Sequence, residues 1–206
     1  MKNFHELNGL ELDTLREIGS IGTGNAATAL SGMLGGEVRI TMPEVRIMGY
    51  NEAIDWIGGP EAITAGVLVR LSGEINGIML SVQQLKFVNL VLEHLVDYKI
   101  EDYADLTDME KSVLVEVGNI MISTFVNALS ELAGITIRVT VPCFAVDMQG
   151  AILSVPMVEF GGQTDYLMTI GADFIIDQNV VPCRLLLSPD VLSLNFLLKK
   201  LGVMDA

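Results

Sequence analysis

Residues 15–45 align with residues 114–144 at an offset of 99 without a gap, and 11 of the 31 positions are identical. The identities are Leu15/Leu114, Glu17/Glu116, Gly19/Gly118, Ile21/Ile120, Ala29/Ala128, Leu30/Leu129, Ser31/Ser130, Gly35/Gly134, Arg39/Arg138, Thr41/Thr140 and Pro43/Pro142. Two generic amphipathic helices would share apolar spacing, but not the glycine stop and the strand residues beyond it. The chain therefore reads as a tandem duplication of a helix–strands–helix unit, with repeats at about 10–97 and 107–203 in a single domain spanning 1–206. β-type residues dominate the middle of each half. The expected fold is α/β (α+β), the two units sharing one sheet with helices packed outside it.

In chain order, His5 to Asp13 reads as a lead-in, and a helix is predicted from about Leu10 to Leu34, stopped by Gly35-Gly36. Gly22 and Gly24 inside it call for a kink or a close helix contact. Strands are expected at 37–42 and 45–50, a short helix at 51–57, and a strand pair at 64–71 and 74–82 with Ser72-Gly73 as its turn. An amphipathic helix at 83–96 and a polar connector close the first half. The second half repeats the order. A helix capped by Thr107 or Asp108 runs to about Ala133, followed by strands at 135–141 and 143–148. The stretch 149–160 fits a short helix in its first part only. Strands at 166–176 and 182–188 follow, then a last helix begun by Ser188-Pro189.

Bulk properties narrow the function. Half of the 206 residues are apolar and mean hydropathy is +0.49, which supplies a sizeable core and argues against disorder. The formal net charge of −14 repels phosphate backbones and anionic membranes, so nucleic acid is not an expected partner. The N-terminal residues lack the apolar region of a signal peptide, and the apolar runs are broken by charge or glycine, so neither secretion nor membrane insertion is expected. Cys143 and Cys183 make neither a disulfide framework nor a metal cluster and are expected as core thiols. A cytoplasmic location follows.

The predicted second long helix carries a narrow polar seam. Ser112, Glu116 and Asn119 are spaced i, i+4, i+7 and fall within about 60° of one another on the helical wheel. Ser123, Asn127 and Ser130 continue the stripe on an otherwise apolar helix. Such a stripe is ordinarily a solvated face. The repeat argues for more, because the pattern Ser112-x3-Glu116-x2-Asn119-x22-Pro142 recurs as Asp13-x3-Glu17-x2-Ser20-x22-Pro43. A solvated face requires polarity; it does not require one glutamate and one proline at fixed positions in both halves. Either proline can also serve only to break a strand at a bend.

The paired spacing [DS]-x3-E-x2-N-x22-P, with GSIGTGNAATALS from Gly19 and VEVGNIM from Val115, resembles the CheC family of chemotaxis phosphatases. The resemblance covers essentially the whole chain. It implies an enzyme that dephosphorylates the aspartyl phosphate of the response regulator CheY, whose site also holds Mg2+, by inserting the motif helix into that site. It implies no cofactor on this chain, and it implies binding to the receptor deamidase CheD. Family relatives include CheX, FliY and the middle domain of FliM, which lacks the catalytic residues.

The chemistry suits the residues. An acyl phosphate is already activated, and the regulator brings the metal and a lysine. What it lacks is a water held in line with the P–O bond. A carboxamide can both donate to and accept from that water, which is the role expected of Asn119. A carboxylate one turn earlier can pair with the regulator's lysine and fix the docking register, which is the role expected of Glu116. Ser112 is expected to orient the seam or touch the partner, and Pro142 completes the motif. Ser20 departs from the family pattern. A hydroxyl is shorter than a carboxamide, so the first site (Asp13, Glu17, Ser20, Pro43) is expected to dock only or to be inactive.

The rival readings are a non-catalytic CheD-binding adaptor and a flagellar-switch scaffold of the FliM or FliY kind. No long N-terminal peptide or ring-forming C-terminal domain accompanies the motif, which disfavours the scaffold. Two fused units make an internal pseudo-dimer, so a monomer is favoured. Gly22-Thr-Gly24-Asn-Ala-Ala27 has the look of a dinucleotide loop but follows a helical pattern instead of a strand. His5 and His94 are single, the 11 methionines read as core, and Trp56 fits local core and partner anchor equally.

Overall fold

The computed structural model describes residues 6–160 and 165–204; the lead-in expected from His5 begins outside them. Helix α1 (Gly9–Leu34) and helix α4 (Asp108–Ala133) are the two long helices, each of 26 residues. Both start with the same device. Asn8 accepts from the Glu11 backbone N–H at 3.0 Å while the Glu11 carboxylate accepts from the Asn8 N–H at 2.7 Å. Thr107 and Glu110 repeat this capping box 99 residues on. Both helices end on a glycine in the left-handed region, Gly35 at φ 67° and Gly134 at φ 62°.

The strands are β1 (Arg39–Ile40), β2 (Glu44–Gly49), β3 (Ile63–Gly73), β4 (Gly77–Gln83), β5 (Ile137–Val139), β6 (Cys143–Met148), β7 (Tyr166–Ile176) and β8 (Asn179–Pro189). They form one eight-stranded antiparallel sheet in the order β1-β7-β8-β4-β3-β5, with β2 also on β7 and β6 also on β3. The sheet expected from sequence is thus present as one body. Its pairing exchanges partners between halves. The short strands β1 and β2 of the first half pair with β7 of the second, and β5 and β6 of the second pair with β3 of the first. The hairpins β3–β4 and β7–β8 meet at β4–β8 in the centre. All seven residues of β4 are buried, because both faces of the sheet are covered there.

One face carries α1, α4, α3 (Leu85–Val96) and α6 (Val191–Lys200) over Val67, Met79, Leu185 and Leu187. The other carries α2 (Tyr50–Ile57) and α5 (Gln149–Phe160) over Leu80, Val82 and Leu186. This second layer explains α5. It continues to Phe160 through Pro156, which costs one backbone hydrogen bond. Its residues Ile152, Leu153, Pro156 and Phe160 cover the sheet.

Several boundaries differ from the sequence reading. The turn placed at Ser72-Gly73 lies at residues 74–76, since β3 runs on to Gly73 opposite Ile137. Gly73 has φ 110°, and a side chain there would meet the Thr136 carbonyl oxygen at 2.6 Å. The last helix is capped by Asp190, whose carboxylate accepts from Ser193 N–H at 2.7 Å. Pro189 remains in β8 opposite Gly77. Helix α4 is long and apolar enough, by length and composition, to cross a membrane, yet half of its most apolar window is buried within this fold.

Candidate functional site

The seam of α4 faces outward at its N-terminal end. Ser112 and Glu116 are exposed and Asn119 is half-buried, while Leu114, Val117, Gly118 and Met121 turn into the core. Glu116 makes no hydrogen bond or ion pair among the described residues. Asn119 Oδ1 accepts from Ser123 Oγ at 3.4 Å, which leaves its Nδ2 donor and an acceptor lone pair free for a ligand. Ser112 makes no hydrogen bond to Glu116. Its hydroxyl donates to the carbonyl of Asp108 at 2.7 Å, one turn back on its own helix. Helix geometry puts Glu116 and Asn119 one turn apart, about 4.5 Å along the axis.

The lower part of the stripe is structural. Ser130 Oγ donates to the Ile135 carbonyl, and its counterpart Ser31 accepts from Val38 N–H at 2.8 Å. Each serine ties its helix to the chain leaving it. The Thr41/Thr140 identity has a similar basis, since Thr41 Oγ1 accepts from Asp173 N–H and Thr140 Oγ1 from Arg70 N–H. Pro43 and Pro142 lie where β1 breaks before β2 and β5 breaks before β6. The apolar residue before each proline is nearly free, Met42 at 91% and Val141 at 84% exposure.

In the first half, Asp13, Glu17, Ser20 and Pro43 line a single open groove of about 760 Å3, so the residues related by the sequence pattern do meet. The groove also contains Arg16, Glu44 and Arg46. Arg16 pairs with Asp13 at 2.7 Å and Arg46 with Glu44 at 2.5 Å. Sequence reasoning passed over both arginines, which mark places where the two copies differ. The positions 99 residues on are Val115 for Arg16, Ala145 for Arg46 and Cys143 for Glu44. At these three positions the second motif carries no charge beside Glu116 and Asn119, whereas the first has its carboxylate among ion pairs.

The other candidates resolve as packing. Trp56 lies against Gly171, where an added methyl would stand 2.4 Å from the indole. The Arg46 and Arg184 guanidinium carbons lie 5.5 and 4.8 Å from its ring centroid. Gly22 and Gly24 are inside α1, so the dinucleotide reading has no loop to occupy. No group of three or more His, Cys, Asp or Glu side chains that could hold a metal ion occurs among the described residues.

The CheC-like family profile matches residues 10–47 and 109–145, the start of each half. The start of each half is thus similar to that family. The CheY-P phosphatase CheC of Bacillus subtilis is 26% identical over 208 residues, covering 98% of this chain and 99% of that protein. Thermotoga maritima FliY superposes on 96% of the chain and 98% of its own length, with TM-score 0.73 and 23% identity. FliM of H. pylori, in its complex with FliG, gives TM-score 0.71 at 13% identity over 94% of this chain and all of its own. CheX of Borrelia burgdorferi, crystallised with CheY, BeF3 and Mg2+, gives 0.56 at 18% identity over 87% of this chain and 99% of its own. At these identities the structures establish a shared CheC-like fold.

Proposed function

We propose that this CheC-like chain is a phosphatase of phosphorylated CheY, acting through the second site. The observation that carries this is the pair Glu116 and Asn119, one turn apart on a helix anchored in the core. The carboxylate is unpartnered, and the carboxamide keeps a donor and an acceptor free. The likeness to a CheY-P phosphatase over nearly the whole chain supports the same reading.

In this mechanism Glu116 pairs with the regulator's active-site lysine and sets the register. Asn119 donates to and accepts from a water, holding it in line with the bond to be broken. No covalent enzyme intermediate is formed. The Mg2+ belongs to CheY, and this chain contributes no cofactor. Ser112, bonded back to Asp108, is a partner contact of small effect, and Pro142 shapes the edge beside the helix. Asp13, Glu17, Ser20 and Pro43 form a docking-only or inactive site. CheD is the second partner, with the chain working as a cytoplasmic monomer.

The fold likeness to FliY and FliM favours one alternative, a flagellar-switch scaffold. Decay of phosphorylated CheY, measured with and without this chain and with and without CheD, separates the two. Acceleration supports the phosphatase. No acceleration under any condition transfers the assignment to the scaffold.

A further inference from the structure

The second motif helix has a buried amide anchor, and the equivalent strand position in the other half carries none. Gln83 is the last residue of β4 and has no exposed surface. Its Nε2 donates to the backbone carbonyl of Leu114 in α4 at 3.1 Å. In a helix that carbonyl also accepts from the N–H four residues on, at Gly118, so the amide clasps the turn that carries Glu116 and leads into Asn119. Gly118 makes the approach possible. An added methyl there would stand 2.9 Å from Gln83 Nε2 and 2.7 Å from Val67. Gln83 is itself held, because its own carbonyl accepts from Tyr103 Oη at 2.9 Å and from Thr64 Oγ1 at 3.1 Å.

Strand register gives the corresponding residue in the other half. Gln83 pairs with Ala65 in β3–β4, and the equivalent pair in β7–β8 is Leu187 with Met168. The equivalence is fixed by β6 and β2, where Ala65 faces Val146 and Met168 faces Ile47, 99 residues apart. Leu187 is a buried apolar residue, so no side-chain amide clasps α1 from this position. The half that keeps the carboxamide Asn119 keeps a buried amide beneath it; the half with Ser20 has leucine in that place.

The Gln83 amide also carries a cost. Its Oε1 is buried with no hydrogen-bond partner in the described structure, which is unfavourable in an apolar interior. A leucine, as at 187, would avoid it. What a leucine cannot do is fix the helix by a directional bond. Apolar contacts alone let a helix roll, and at a radius of about 5–6 Å a roll of about 10° moves a side-chain tip by about 1 Å. Errors of that size can cost about 100-fold in a positional mechanism.

We infer that Gln83 is a positioning residue for Asn119 and Glu116, holding the motif turn of α4 in catalytic register through the Leu114 carbonyl. The inference rests on the phosphatase reading for its kinetic consequence but not for the anchoring itself. The test replaces Gln83 by Leu and, separately, by Met, which keeps the length without the amide. Four quantities are measured: kcat, the half-saturating concentration of phosphorylated CheY, the thermal midpoint, and hydrogen exchange of backbone amides 116–120.

In both variants kcat falls about tenfold or more with half-saturation unchanged within about twofold. Exchange at 116–120 quickens relative to the rest of α4, and the thermal midpoint holds or rises. Leu187→Gln, the reciprocal change, leaves kcat unchanged. A residue that only stabilised the fold would lower the thermal midpoint and leave kcat and local exchange alone, and that result overturns the inference. If wild type fails to act on phosphorylated CheY, the phosphatase reading falls separately, and exchange at 116–120 alone decides the anchoring.

Discussion

Phe125 of α4 occupies the space that a side chain at Gly22 of α1 would need: a methyl built on Gly22 would lie 2.3 Å from the Phe125 ring. Both residues are buried, so the ring has little room to retreat. This contact packs the two motif helices against each other.

Gly22→Ala gains helix propensity but overpacks this contact. The expected net effect is a loss of about 1–3 kcal/mol, read as a lower denaturant midpoint at unchanged slope. Shortening the ring by Phe125→Leu in the same chain should recover part of the loss, since the two positions share one contact. A Gly22→Ala variant as stable as wild type would show that the helices can part at no cost.

His94 and Asp177 give the fold a pH dependence. His94 Nδ1 lies 2.8 Å from the Leu90 carbonyl oxygen and Nε2 lies 2.9 Å from the Asp177 carboxylate. Both neighbours are acceptors, so both ring nitrogens must carry hydrogen for the two bonds to form together. The Asp177 hydrogen bond, with help from Leu90, raises the imidazole above its ordinary value. The stabilisation is present in full below the unfolded value of about 6.5 and is lost as pH rises through the higher folded value. Asp177→Asn keeps a residue that tolerates the positive φ of 48° there but removes the charge. Its denaturant midpoint should fall below that of wild type between about pH 5 and 6. The difference should shrink once His94 is neutral. A difference independent of pH would contradict the pairing.

The two thiols should react differently. Burial pushes Cys183 up to about 12, so it is both protonated and shielded, whereas Cys143, also expected in the core, is exposed one residue after Pro142. A thiol reagent should label one cysteine in the native chain and both on unfolding. Labelled protein should bind CheY more weakly if the β6 edge forms part of the docking rim. Two rapidly reacting thiols in the native state would contradict this burial.

Ser20→Asn, placed in an Asn119→Ala background, should restore a fraction of the lost activity, because Glu17 is in place and the groove is open. Adding Arg16→Val and Arg46→Ala should raise it further. Each exposed ion pair is worth little to the fold, about 0–1 kcal/mol, but each must shed water when a partner docks. Decay of phosphorylated CheY measures both steps. No gain from Ser20→Asn, with activity intact in Asn119→Ala alone, would contradict the assignment of roles to the two halves.

The long helices, the shared sheet and the paired motif were legible because all depend on local pattern repeated 99 residues apart. The capping box at Asn8 and Glu11 is legible too, as N-x-x-E, inside the stretch that reads as a lead-in. The exchange of short strands between halves was not, since register between distant strands leaves no local signature. Arg16 and Arg46 could have been found by asking where the two copies differ instead of where they agree. Gln83 could not. Nothing in its neighbourhood shows that β4 ends beneath Leu114, and that contact exists only once the sheet has placed the two together.

The most direct test of the central claim measures turnover and binding side by side in Asn119→Ala and Glu116→Ala. Phosphorylated CheY reports turnover, and beryllofluoride-activated CheY reports binding. Asn119→Ala should lose at least about tenfold in turnover while still binding, because the water is no longer held. Glu116→Ala should lose both, because the register is gone. Wild-type turnover in both variants would contradict the account.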